Sequence, residues 1–263
     1  MVTESLVEYK DGDLMLEGIL YQPKANTKAP GILVYPAFWG PSEHEKSVAK
    51  ELAELGFVAL VADPYGKGVR PKSREEAFKI VSQFFGSRED LLKPRIIAAY
   101  NYLKQVKNVD TSKICSIGYC FGGTCTIDLA RHNVDIKLGV SFHGAFSPTK
   151  EGQDFSKLSK ITTELLICHG DADDHVNPTV PTFLDELRAR DANFTFVRYS
   201  KAPHGFTMTA EPGAPGHVAY NQRADKQSKQ AMLNLLDEVV GIPNKKRNKR
   251  KPAPPAKRSF ICC

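Results

Sequence analysis

The chain has 263 residues, 41% hydrophobic and 25% charged, within the range of one large globular α/β domain. It lacks any run of roughly 18 apolar residues that could span a bilayer, and the opening Met1–Lys10 lacks the basic flank and apolar centre of a secretory signal, so the cytoplasm is the expected location. The net charge is +6, but eight of the 36 Lys and Arg lie between 245 and 258; without them 28 basic residues face 30 acidic ones, a body of net charge −2 that gives nucleic acid no grip.

Apolar, β-rich runs alternate with amphipathic ones to about residue 240, which predicts a mostly parallel sheet of about eight strands with helices on both faces. Leu6–Lys10 and Leu14–Tyr21, separated by Asp11, Gly12 and Asp13, read as an edge hairpin. Gly31–Pro36 is a buried-strand run. Ser42 and Glu45 form a capping box before a helix with Val48, Leu52 and Leu55 on one face, and a strand follows over Phe57–Ala62. Residues 73–108 read as helical with a break near Pro94. Further strands are expected at Lys113–Ile117, Lys137–Phe142, Glu164–Cys168 and Phe194–Tyr199, with helices near 122–132, 179–190 and 217–240. A single α/β domain over 1–243 and a disordered basic tail over 244–263 are the expected organisation.

Gly118-Tyr119-Cys120-Phe121-Gly122-Gly123 follows a predicted strand and opens a predicted helix, the context of a nucleophile elbow with cysteine where serine usually stands. Residues without a β-carbon let such a strained turn close. A helix N-terminus favours the thiolate, and the amide of Phe121 points to where an oxyanion would form. A packing turn around an inert cysteine is the structural alternative.

The strand ending at Cys168 runs into Gly170-Asp171-Ala172-Asp173-Asp174-His175-Val176, where the G-x-x-D-x-x-V frame selects Asp173 as the carboxylate. Asp171 and Asp174 read instead as turn and helix-capping residues. His204, in Ala202-Pro203-His204-Gly205-Phe206, lies on a post-strand loop in the order nucleophile, acid, histidine. His44 and His132 read as helix-surface residues, and His143, His169 and His217 as lesser candidates. The loop Pro36–Gly40 offers the Phe38 amide as a second oxyanion donor. Trp39, Tyr119 and Phe206 are candidate pocket walls. Cys115, Cys125 and Cys168 read as small buried hydrophobes, and no Cys/His spacing suggests a metal site.

Together with Val61-Ala62-Asp63-Pro64-Tyr65-Gly66-Lys67-Gly68, these motifs resemble the dienelactone hydrolase (carboxymethylenebutenolidase) family over roughly residues 5–240. The resemblance implies an α/β-hydrolase fold, a Cys-Asp-His triad at Cys120, Asp173 and His204, no metal or organic cofactor, and a small ester or lactone substrate. Two positions depart from the family pattern. Ala37 stands where the family carries a glutamate that contacts the resting cysteine, and Met208 where bacterial members carry a substrate-binding arginine. A less anionic substrate and a thiol activated chiefly by His204 and the helix dipole are then expected.

Other readings are a thioesterase or broad carboxylesterase, since fold and triad do not fix the acyl group, and a catalytically silent scaffold directed by its tail. The basic run ending in Cys262 and Cys263 would suit membrane contact if lipidated, or nuclear localisation.

Overall fold

A computed structural model describes residues 1–24, 27–209 and 216–244. The tail at 245–263, with Cys262 and Cys263, lies outside the described residues.

Eight strands form one sheet: β1 (Val2–Asp11), β2 (Leu14–Pro23), β3 (Ala29–Tyr35), β4 (Val58–Val61), β5 (Val109–Tyr119), β6 (Leu138–Phe142), β7 (Glu164–Gly170) and β8 (Phe194–Tyr199). Their order is β1-β2-β4-β3-β5-β6-β7-β8, with β1–β2 and β2–β4 antiparallel and the remaining pairs parallel. The central strands are buried on both faces, and their alternation divides the core. On β3, Ile32 and Val34 pack beneath α1 (Glu43–Glu54) and α6 (Gln222–Val239). Leu33 and Tyr35 face the opposite layer, built by α2 (Arg74–Gly86), α3 (Lys93–Gln105) and α4 (Phe121–Arg131). The fifth helix, α5 (Val180–Ala189), lies on that second face, its Phe183 and Leu187 packing on Leu165 and Ile167 of β7. Both readings of the sequence, parallel sheet and two helical layers, hold.

Two helix boundaries and the placement of two histidines differ from expectation. The long helical stretch breaks at Ser87, not at Pro94: a π-helical turn spans Arg88–Leu92 and Pro94 sits in the first turn of α3, where its missing N–H costs nothing. The last helix starts at Gln222 because the Asn221 side chain accepts the Ala224 amide and caps it, so His217 lies in a turn ahead of the helix. His44 and His132 are not surface residues. His44 packs edge-on against Tyr119 at 4.6 Å, and the His132 side chain, 11% exposed, lies beneath Glu89.

The break at Ser87 has a structural purpose. Arg88 turns inward and pairs with Asp128 of α4, which also binds Arg131; Arg131 pairs with Glu186 of α5 at 2.7 Å, and Glu186 with Arg190 at 3.1 Å. These five side chains are buried, and the two arginines on α2–α4 also donate to the Phe146 and Ser147 carbonyls, fastening the loop after β6 to α4. Burial alone would neutralise Asp128, but Arg88 and Arg131 hold its carboxyl below the usual range. Removing one partner strands buried charge. Asp128→Ala is therefore expected to lower unfolding free energy by about 3–5 kcal/mol in urea titration, and a loss under about 1 kcal/mol would contradict the network's role.

Candidate active site

The sheet's carboxyl edge brings three loops together. β5 ends at Tyr119, and α4 starts at Phe121, leaving Cys120 alone between them with φ +52° and ψ −115°. A non-glycine residue in the left-handed region needs support from its surroundings. Here the turn closes because neighbouring backbones touch: a β-carbon on Gly118 would lie 1.9 Å from the Gly122 carbonyl oxygen, and one on Gly122 would lie 2.1 Å from the Tyr35 oxygen. Side chains at either glycine would push the elbow open.

Asp173, fully buried, sits in the turn after β7, its Oδ1 accepting the Val176 amide at 3.3 Å. His204 follows β8, held by a short parallel bridge to Val218: its amide donates to the His217 carbonyl at 3.1 Å and its carbonyl accepts the Ala219 amide at 3.3 Å. The imidazole Nδ1 lies 2.7 Å from Asp173 Oδ2, and Nε2 lies 3.1 Å from Cys120 Sγ. The structure thus places the three sequence-predicted residues in hydrogen-bonded series.

Electrostatics favours separated charge along that series. Burial opposes a thiolate at Cys120, but the His204 charge and hydrogen bond, with the Phe121 amide, bring the thiol below its ordinary value. Burial likewise opposes an imidazolium at His204, yet Cys120 and Asp173 push it up to about 10. Asp173 is lowered against its own burial chiefly by its hydrogen bond to His204. The other three described cysteines are buried free thiols, and burial raises Cys115 and Cys168 to about 12.

Cys120 and His204 open onto a cavity of about 500 Å³. Ala37, Phe38, Phe121 and Met208 line it. Trp39, Tyr119 and Phe206 do not. Trp39 leans on Phe38 with ring centroids 5.0 Å apart, Tyr119 stacks on Phe142 behind the sheet edge, and Phe206 is fully buried against His143 and Tyr199. Alternation along β5 turns Tyr119 to the face opposite Phe121, which is why adjacency in sequence misled. Asp171 and Asp174 both lie in turns after β7, as expected of turn residues, and Asp171 pairs with Arg198 at 2.8 Å, but neither caps a helix.

A carboxylate does approach the Ala37 loop. Glu45, buried and part of the α1 capping box, accepts the Ala37 amide at 3.1 Å and the Ser42 amide at 3.0 Å. It steadies the loop that carries Phe38.

Most of the far wall comes from α2: Arg74, Phe78, Val81 and Phe85, none singled out by the sequence. Arg74 is the one arginine or lysine among the described lining residues, its guanidinium 5.1 Å from the Phe38 ring centre. One signal was present, because a cation in the first turn opposes the helix dipole and so serves something other than the helix. Phe78, 65% exposed, is an apolar side chain at the cavity mouth. His175 and His217 meet on the same rim with ring centres 4.1 Å apart.

Strand order, elbow and cavity together define an α/β-hydrolase. The family description "Dienelactone hydrolase family" matches residues 16–240, so the chain belongs to that family. It is 42% identical over 155 residues to an uncharacterized protein of Caenorhabditis elegans, an alignment covering 58% of this chain and 96% of that one. Two solved structures superpose with a TM-score of 0.84 each, both covering 90% of this chain and 98% of their own. One is m3DLH, 30% identical. The other is a dienelactone hydrolase-like promiscuous phosphotriesterase from metagenomic libraries, 31% identical.

The lowered pKa of the Cys120 thiol predicts its reactivity. Alkylation by iodoacetamide, followed against pH on the Cys120 peptide, should show a midpoint below the free-thiol value of about 8.5. His204→Gln should move that midpoint upward, and an unshifted midpoint would show that the imidazole does not stabilise the thiolate.

Proposed function

We propose that this member of the dienelactone hydrolase family is a cysteine-dependent hydrolase of small esters or lactones, working through an acyl-thioester on Cys120. The observation that carries this reading is the series Cys120 Sγ, His204, Asp173 at 3.1 and 2.7 Å, opening onto the cavity.

In the proposed reaction the Cys120 thiolate attacks the ester carbonyl carbon, forming a C–S bond while the carbonyl electrons move to oxygen. The amides of Phe121 and Phe38 receive that oxyanion. Its collapse breaks the bond to the leaving oxygen, which takes the proton from the His204 imidazolium. Neutral His204 then removes a proton from water, and the hydroxide attacks the thioester. The acid leaves and the thiolate–imidazolium pair is restored. Asp173 holds the ring so that Nε2 faces sulfur and stabilises the charged imidazole at each proton transfer.

The cavity supports a substrate class as well. Phe38, Phe78, Val81, Phe85, Phe121 and Met208 suit a bulky apolar acyl or alcohol group, with Arg74 available to one negative or strongly polar substituent. Met208 in place of a cation makes the wall beside His204 apolar.

A panel of lactones, p-nitrophenyl esters, acyl thioesters and a phosphotriester, the last suggested by the relative named for that activity, tests the reading. Cys120→Ala is expected to lose at least about 10³-fold in kcat, and Asp173→Asn about 10⁴-fold, with the protein still folded. Among the esters, kcat/KM should grow with acyl size, and Phe85→Ala should reduce that slope. Turnover that survives in Cys120→Ala would remove the cysteine mechanism. A folded wild type inert across the panel would favour the scaffold reading.

A further inference from the structure

His143 lies directly behind the nucleophile and has no part in the chemistry above. It follows β6, is fully buried, and holds a left-handed backbone with φ +42°. Its Nδ1 is 3.1 Å from the backbone nitrogen of Cys120, and its Nε2 is 2.8 Å from Thr207 Oγ1.

The hydrogen inventory settles which way this ring must point its proton. The Cys120 amide can only donate, so Nδ1 must offer a lone pair. The ring proton then sits on Nε2 and is donated to Thr207. Thr207 comes three residues after His204 on the same loop, so one imidazole spans the backbone of the nucleophile and the segment carrying its partner. We propose that His143 is a positioning residue which, as the Nε2–H tautomer, locks the Cys120 amide to Thr207 and so fixes the left-handed elbow against the His204 loop. This rests on Cys120 being the nucleophile.

The surroundings are arranged to keep the bridge neutral. Burial pushes the His143 pKa well down, helped by His204, His44 and His169. The groups packed around it are Tyr119 and Cys120 from the elbow, the Cys168 carbonyl from β7, which accepts the His143 amide at 2.8 Å, and His204, Phe206 and Thr207 from the loop after β8. No carboxylate stands among these contacts. A second proton would face donor to donor at the Cys120 amide and place a cation beside the His204 imidazolium, whose ring centre is 5.5 Å away. The Cys120 amide also donates to the Phe142 carbonyl at 3.0 Å, so loss of His143 weakens the turn without abolishing it.

Three variants test the bridge, each read by kcat, by KM and by the rate of Cys120 alkylation at pH 7. His143→Asn keeps an acceptor and tolerates the left-handed backbone. It should stay within about threefold of wild type, whereas His143→Leu, lacking an acceptor, should lose about tenfold in kcat and in alkylation rate with KM within about twofold. Equal losses in both variants, or no loss in either, would overturn the proposal. If His143→Leu does not fold, Thr207→Val decides: a fall of about threefold or more in both rates at unchanged KM supports the bridge, and wild-type rates refute it. Alkylation needs no ester turnover, so a failure of the hydrolase reading, seen as turnover surviving in Cys120→Ala, stays distinct from a failure of the bridge.

Discussion

At a φ of +52° and ψ of −115° the backbone of Cys120 sits in a sparsely populated conformation that costs about 1–3 kcal/mol, and the surroundings must hold it there. The hold is steric and polar at once. Gly118, Gly122 and Gly123 let β3, α4 and the loop after β6 close to backbone contact, and the Cys120 amide is gripped from the end of β6. Relaxing the residue would require moving the central strands of the sheet, which are packed on both faces.

The charges around the elbow follow one plan. Buried arginines, paired with Asp128 and Glu186, anchor the helix that begins just after Cys120 and the loop that supplies Ala145 to the cavity. Glu45 does the same for the loop on the other side of the cleft through backbone amides rather than ion pairs. These groups shape the cavity without entering it, so the apolar lining is kept apart from the charges that stiffen its frame. Within the cleft, opposite charge is concentrated along the line from Cys120 through His204 to Asp173.

Much of this is legible in the amino-acid order because it is local. The parallel strands are continuous apolar runs, the elbow is a glycine pattern at a strand-to-helix junction, and the capping box at Ser42 and Glu45 is present as read. What escapes local reading is set by tertiary contact. Arg74 and Phe78 stand more than 40 residues before Cys120 on a helix whose polar and apolar residues look like any amphipathic surface. The pocket roles expected for Tyr119 and Phe206 fail because strand alternation and loop packing turn those rings into the core. His143 is a lone histidine in sequence, and only the meeting of β5, β6 and the post-β8 loop gives each of its nitrogens a partner.

The apolar lining also bears on how a cycle ends. In the proposed reaction a neutral ester is exchanged for an acid that is ionised at neutral pH, and a carboxylate enclosed by Phe85, Phe121 and Met208 loses hydration worth several kcal/mol unless it finds a partner. The product is therefore poorly matched to the walls that welcomed its precursor, and its own ionisation drives it toward solvent. Under that reaction, residence time depends on whether the departing anion passes the guanidinium of Arg74, which would make that side chain a brake on release as much as an aid to capture.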